Sequence, residues 1–261
     1  MKRIASRDNP LYKELRRLAQ GAHARRQGLA LLEGVHLCQA YLQWGGTPRH
    51  AVFDAVRSES GELRALRDAV PPACQAWLEP GLVDGLETVR SGQGVVFVID
   101  TPAPPLPARA DENCVLLDRI QDPGNVGSIL RSCAAAGVRR VFLSADTAYA
   151  WSTKVLRSGQ GAHFSLTIHE DVDLLALSAR LDVPLLATTL DDAVDLLRAD
   201  LPPRAAWVFG NEGQGVDPAL QRAAALRLRI DQEPAAESLN VAAAAAVCLF
   251  EQRRQARRAG Q

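Results

Sequence analysis

The spacing of apolar and polar positions lays out two series of alternating elements separated by a proline-rich stretch. In the first series, helical spacing predicts a basic helix over residues 9–26. Short apolar runs predict strands at 30–33, 50–53, 73–78 and 95–99, with helical stretches at 35–44, 62–69 and 81–89 between them. That is a small α/β layer structure. The stretch at 101–112 carries Pro102, Pro104, Pro105 and Pro107, which remove backbone donors and resist helix. It reads as a stiff linker between a domain over 1–100 and a larger one over 113–261.

Beyond the linker the pattern repeats with longer spacing. A buried strand at 114–117 leads to a helix at 126–136 closed by Gly137, then to a strand at 140–143. Further strands are predicted at 164–168, 184–189, 206–209 and 226–230, with a helix at 172–181 and an alanine-rich helix at 241–254. Strands alternating with helices predict an α/β domain with a parallel sheet covered on both faces. Ligands of such sheets gather at the carboxyl ends of the strands.

Composition narrows the class. With 261 residues, 47% hydrophobic and 23% charged, the chain has the make-up of an ordinary globular protein. Its formal net charge of +0 gives no global attraction to nucleic acid, so any such attraction is local. The basic run Lys2, Arg3, Arg7, Lys13, Arg16, Arg17, Arg25 and Arg26 is opposed only by Asp8 and Glu14, and Arg253, Arg254, Arg257 and Arg258 form a second group. Solvated helix faces account for such runs more often than RNA does. The 5 cysteines are scattered without a C-x-x-C pair, which predicts reduced thiols in a cytoplasmic protein. The 5 histidines show no ligand spacing, so no metal is expected. The opening ten residues lack the apolar core of a signal peptide, and the apolar stretch at 241–250 falls short of the ~20 residues of a membrane span.

Three segments carry the chemistry. In the first, at 120–132, Asp122-Pro-Gly-Asn125 makes a turn that launches a helix, with Asn125 as its expected N-cap and Arg131 further along. Taken alone, this reads equally well as a cap and a solvated arginine. In the second, Gly210-Asn-Glu-Gly-Gln-Gly215 follows a strand, and its glycines permit positive φ and close approach to a ligand. A dinucleotide motif would open a helix early in the chain, whereas here Asp217-Pro218 interrupts first. A phosphate-binding P-loop would need Lys and then Ser or Thr after the last glycine, where Val216 stands. In the third, Glu237-Ser238-Leu239-Asn240 precedes the alanine-rich helix, with Ser238 as its expected N-cap.

Taken in this order, Ile-Gln-Asp-Pro-Gly-Asn-Val-Gly-Ser-Ile-Leu-Arg, Gly-Asn-Glu-Gly-Gln-Gly and Glu-Ser-Leu-Asn-Val resemble the SpoU–TrmH family of the SPOUT superfamily. The resemblance implies methyl transfer from S-adenosyl-L-methionine to a ribose 2′-hydroxyl of structured RNA. It also implies a C-terminal SPOUT domain with a deep trefoil knot and a homodimer with the site at the subunit interface. By the same resemblance Arg131 is the catalytic candidate, supported by Asn125, Glu212, Ser238 and Asn240. Thr188, Gly210, Asn211, Gly213, Ile230 and Leu239 match positions that hold the cofactor.

The opening Ser6-Arg-Asp-Asn-Pro-Leu-Tyr-Lys-Glu-Leu15 and the string Ala30-Leu-Leu-Glu-Gly-Val-His-Leu-Cys-Gln-Ala40 resemble the substrate-binding extension of ribosomal-RNA members. That extension has a small ribosomal-protein-like fold. Arg3, Arg7, Lys13, Arg16, Arg17, Arg25 and Arg26 are then its RNA contacts. Ribosomal RNA is the expected substrate and transfer RNA the alternative; an RNA-binding protein without catalysis, acting in ribosome assembly, is the reading from another class. One string departs from the pattern: Ile230-Asp-Gln-Glu-Pro234 stands where relatives commonly show Ile-Pro-Met.

Overall fold

A computed structural model describes residues 2–57, 61–86, 93–190, 192–233 and 238–259. The chain divides into two compact units, one of Met1–Pro102 with Trp151–Phe164, the other of Ala103–Ala150 with Ser165–Gln261. Among the described residues no helix is long and apolar enough to cross a membrane.

In the first unit, β1 (Lys2–Ile4), β2 (Leu29–Glu33), β3 (His50–Asp54), β4 (Gln75–Leu78) and β5 (Val95–Asp100) form a mixed sheet in the order β1-β4-β3-β5-β2. Helices α3 (Val35–Gln43) and α4 (Gly61–Asp68) complete its β/α alternation. The basic helix expected over 9–26 is two helices, α1 (Pro10–Ala19) and α2 (Ala22–Gln27). Gly21, at φ 74°, breaks the run, because only glycine takes that backbone cheaply. Asn9 caps α1 by accepting from the backbone N–H of Leu11. Tyr12, Leu15 and Leu18 then fall on one face and join Ile4, Leu31, Val52, Leu78 and Val98 in the core. The stretch expected as a helix at 81–89 holds a single 3-10 turn, Val83–Gly85, and residues 87–89 lie outside those described.

Segment 151–164, expected within the second domain, clusters with the first unit. Its helix α6 (Thr153–Gly159) packs on β2, and Phe164 meets Tyr41 edge-on with ring centroids 5.4 Å apart. These apolar contacts outweigh sequence position.

The second unit is built on seven parallel strands: β6 (Cys114–Asp118), β7 (Arg140–Leu143), β8 (Thr167–His169), β9 (Leu185–Thr188), β10 (Val194–Asp195), β11 (Ala206–Gly210) and β12 (Leu226–Arg229). Their order is β10-β12-β9-β11-β6-β7-β8. The chain runs outward from β6 to β8 and restarts on the other side with β9; β11 then enters between β6 and β9. The direction of winding reverses at β6 and β11, which makes a crevice at their carboxyl ends. The two-residue β10 and three-residue β1 were not expected, since strands so short carry no readable period.

Both faces of this sheet are covered. Ala206 and Val208 point toward α7 (Leu174–Ser178) and α8 (Pro218–Ala223), while α5 (Pro123–Ala136) and α9 (Val241–Ala259) pair with each other and α9 lies against β11. Trp207 donates from Nε1 to Oε1 of Gln252 on α9 at 2.8 Å, so the buried indole is satisfied. The helix expected at 172–181 is only α7, capped by Asp173. Asp217-Pro218, expected to interrupt, starts α8 instead: Asp217 is its N-cap and Pro218 its first residue. Helix α9 runs beyond its expected end, its later turns supported by Glu251, which pairs with Arg254 at 2.6 Å and accepts from Gln255.

Candidate active site

The first site segment begins where β6 delivers the buried Asp118 to the carboxyl edge of the sheet. Helix α5 starts at Pro123, earlier than expected, and its N-cap is Asp122, whose carboxylate accepts from the backbone N–H of Asn125 at 2.9 Å. Proline has no N–H to leave unsatisfied and sits best at the first helical position, so Asp-Pro wins over Asn125 as the cap. The side chain of Asn125 is thereby released for another task. At the start of α9 the expected cap Ser238 is likewise displaced. Oδ1 of Asn240 accepts from the backbone N–H groups of Ala242 at 2.9 Å and Ala243 at 3.4 Å.

These two asparagines and Glu212 form one relay. Asn240 Nδ2 donates to Asn125 Oδ1 at 2.9 Å, and Asn125 Nδ2 donates to Glu212 Oε1 at 2.9 Å. The carboxylate also accepts from the backbone N–H groups of Gln121 at 3.3 Å and Asp122 at 3.2 Å. Burial works against its charge, but these donors prevail and hold the carboxyl below its ordinary 4.5. Glu212 is therefore an anion at neutral pH, and its acceptors are partly committed.

Beside the relay lies a cavity of about 670 Å³, in the size range of small-molecule sites. It is bounded by the ends of β9, β11 and β12 and by the first turn of α9. All six residues expected at the cofactor, Thr188, Gly210, Asn211, Gly213, Ile230 and Leu239, line it, as do Glu212, Ser238 and Asn240. Sequence reasoning missed Gln221 and Ala244, and it treated Gln232 only as part of a departing string; all three also line the cavity. Helical spacing points Ala244 back toward Asn240, a signal that would have found it. A Cβ on Gly210 would stand 2.1 Å from the backbone nitrogen of Val216, so the loop can fold back on the strand end only over a glycine. Asn211 fastens that turn, accepting at Oδ1 from the N–H groups of Gly213 and Gln214, each at 3.0 Å.

Asn125 does not line the cavity and reaches it only through the relay. Arg131 does not line it either; it is exposed on α5, six positions beyond Asn125 and roughly 9 Å further along the helix. Arg3, Arg7, Lys13, Arg16, Arg17, Arg25 and Arg26 are all exposed on β1, α1, α2 and the turn before α1. Some are engaged within the unit, Arg3 with Glu79 at 2.6 Å and Lys13 with Asp8 at 2.9 Å. Of the cysteines, Cys38, Cys114, Cys133 and Cys248 are buried and Cys74 is partly so, and burial pushes the Cys114 and Cys248 thiols up to about 12.

Comparison with known proteins follows the same segments. The SpoU rRNA Methylase family matches residues 112–250, which contain every element of the cavity. An uncharacterised tRNA/rRNA methyltransferase of Synechocystis is 35% identical over 260 residues, spanning 97% of this chain and 93% of that one. The 23S rRNA (guanosine(2553)-2′-O)-methyltransferase RlmP of Bacillus subtilis is 31% identical over 255 residues, 96% of this chain and 98% of its own. Among solved structures, an AdoMet-bound rRNA methyltransferase from Sinorhizobium meliloti superposes with a TM-score of 0.84 at 28% identity, covering 97% of each chain. With similarity running through both units and a family match across the cavity, the chain belongs to the SpoU rRNA Methylase family.

Proposed function

We infer that this protein methylates a ribose 2′-hydroxyl of ribosomal RNA, with S-adenosyl-L-methionine as its cofactor. The observation that carries the reading is the junction of three distant segments at one cavity, with the Glu212–Asn125–Asn240 relay at its edge. Relatives named as 23S rRNA 2′-O-methyltransferases and the AdoMet-bound neighbour support the substrate and the methyl donor.

The residues present suit that cofactor. Leu228, Ile230, Leu239 and Ala244 offer an apolar wall for an adenine, and Thr188 offers a hydroxyl. The turn from Gly210 to Gly215 offers backbone polar groups to the amino-acid end. When bound, the sulfonium supplies an already activated methyl group, with the bonding pair returning to sulfur.

The chain's own part is to orient the ribose hydroxyl, exclude water and ease the departure of its proton. Ser238 and Asn240 are placed to hold the ribose, and Glu212 keeps Asn125 and Asn240 in register. A guanidinium offers no lone pair for a proton, so Arg131 is no general base. It acts by lowering the hydroxyl pKa through its charge, or by pairing with a neighbouring RNA phosphate that takes the proton.

Arg131 lies off the cavity, which supports a homodimer in which it serves the partner's site. Helices α5 and α9 run in the same direction: Asn240 meets Asn125 near their starts, and Arg253 donates to the carbonyl of Ala135 further on. Val247 and Phe250 are exposed on α9, an apolar patch suited to burial against a second copy. The insertion of β11 between β6 and β9, and of β12 between β9 and β10, supports the deep trefoil knot of the superfamily. The exposed cations of β1, α1 and α2 are read as RNA contacts on a ribosomal-protein-like domain, giving salt-sensitive binding. The cytoplasm, where RNA and cofactor meet, is the proposed place of work.

The test is transfer of labelled methyl to unmodified ribosomal RNA and, separately, to unmodified transfer RNA, with the product mapped by resistance to alkaline cleavage. Label at one ribose of ribosomal RNA is expected. Label on transfer RNA alone would overturn the substrate, and the absence of any saturable cofactor binding would overturn the enzyme.

A further inference from the structure

Arg119 leaves β6 with φ at 57°, a left-handed backbone conformation that disfavours a non-glycine residue. A glycine there would remove that cost, so the position retains its side chain against a local penalty. The guanidinium grips both oxygens of the buried Asp118, from Nε at 3.0 Å and Nη2 at 3.1 Å. From Nη1 it donates to Gln214 Oε1 at 2.8 Å, and from Nη2 to the carbonyl of Gly215 at 3.5 Å. Its carbonyl accepts from Asn211 Nδ2 at 2.8 Å, and Asp118 Oδ2 accepts from the backbone N–H of Asp217 at 2.8 Å. The loop after β11 is thus tied at its start, its tip and its end to one pair of adjacent residues on β6 and the turn after it.

That loop is a wall of the cavity, whereas Arg119 itself does not line it. Within the loop Asn211 accepts from the N–H groups of Gly213, Gln214 and Gly215, and the ties from Asp118 and Arg119 fix that closed but glycine-rich turn to β6. Without the ties it would sample more shapes, and a ligand would have to order it on binding. We propose that Arg119 is a positioning residue that pins the 211–216 loop in its ligand-ready shape, and so sets cofactor affinity rather than the rate of methyl transfer. The proposal rests on the reading that this cavity holds S-adenosylmethionine.

The experiment compares wild type, Arg119→Gly, Arg119→Lys, Gln214→Ala and the Arg119→Gly/Gln214→Ala double variant by calorimetry with S-adenosylmethionine, steady-state transfer and thermal melting. Ala244→Phe, which fills the cavity from the first turn of α9, serves as control. Arg119→Gly is expected to weaken cofactor binding by about tenfold and to raise KM for the cofactor, with kcat at saturation within about twofold. Lysine restores the charge opposite Asp118 but not the planar fork, so Arg119→Lys recovers melting temperature without recovering affinity. If Gln214 acts through Arg119, the double variant binds no more than about twofold weaker than Arg119→Gly alone.

Wild-type affinity in Arg119→Gly, or effects of the two substitutions that multiply, would overturn the pin. Should Arg119→Gly not fold, Arg119→Lys decides, since position 119 does not line the cavity as Gln214 does: several-fold weaker binding supports the proposal and wild-type binding overturns it. Unchanged binding in Ala244→Phe would remove the cavity reading and the pin together. Binding lost in Ala244→Phe but kept in the Arg119 variants removes the pin alone.

Discussion

Asn240 donates to Asn125 at 2.9 Å across 115 positions of sequence, and neither amide can be turned over without loss. Oδ1 of Asn240 is held by the N–H groups that open α9, while Nδ2 of Asn125 is held by the Glu212 carboxylate. The direction of the relay follows: helix N–H, amide, amide, carboxylate. Three elements far apart in the chain are thereby locked at one edge of the cavity.

Asn125→Asp should separate chemistry from cofactor binding. It sets a second carboxylate against Glu212, so methyl transfer is expected to fall by roughly 100-fold. Cofactor affinity should change by less than about threefold, since Asn125 is not on the cavity wall. Kinetics and calorimetry on one preparation check both.

Asn240 has two tasks that substitutions can divide. Asn240→Ala loses the helix cap, worth about 1 kcal/mol, together with the donor to Asn125. Asn240→Asp keeps the capping oxygen and loses only the donor. Melting temperature should recover in the aspartate variant while transfer stays low.

Gly210→Ala is expected to abolish cofactor binding. The added Cβ would stand 2.1 Å and 2.2 Å from backbone atoms of Val216 and Gly215, so the loop must move. The overpacking should cost about 1–3 kcal/mol in a denaturant titration.

Glu212 makes the fold pH-dependent in a definite direction. Its carboxyl is held below 4.5, so its stabilisation is fully present above that value and disappears as pH falls through the lower folded-state pKa. Glu212→Gln should therefore be less stable than wild type at neutral pH, with the difference vanishing under acid. Urea titrations of both proteins across pH 2–7 would measure it; an equal gap at every pH would contradict the sign.

Arg131→Ala should bind cofactor as wild type does and transfer no methyl. Mixed with Gly210→Ala, it should regain part of the activity if each site draws on two copies. Failure of the mixture to recover would confine the site to one chain.

Much of the second unit could be read from the chain. Continuous apolar runs marked β6, β7, β9 and β11 within a residue or two, because strands buried on both faces are apolar throughout, while β12 showed as the alternating Leu226-Arg-Leu-Arg229. The second and third motifs marked the cavity wall for a related reason, since glycines and asparagines stand where backbone must turn at a strand end, whereas the first motif joins it only through Asn125 and the relay. The caps were harder. Asp122 and Asn240 compete with nearby residues of the same chemistry, and only the neighbours that each side chain finds decide the outcome. Segment 151–164 falls within the stretch expected as the second domain, yet it joins the first unit through contacts no local pattern encodes.

By itself, then, the sequence determined much of the local alphabet: which stretches of the second unit extend, and where glycines and asparagines let the chain turn at a strand end. Propensity, periodicity and turn chemistry act over a few residues and are legible at that range. Only the tertiary structure decided the strand order that places β11 between β6 and β9, the meeting of Glu212, Asn125 and Asn240, and the part of Arg119. The strand order depends on backbone pairing between segments that the chain brings back to one another, and the two side-chain networks on partners about 90 or more positions apart satisfying one another's polar groups. That satisfaction belongs to the packed whole and is carried by no single segment.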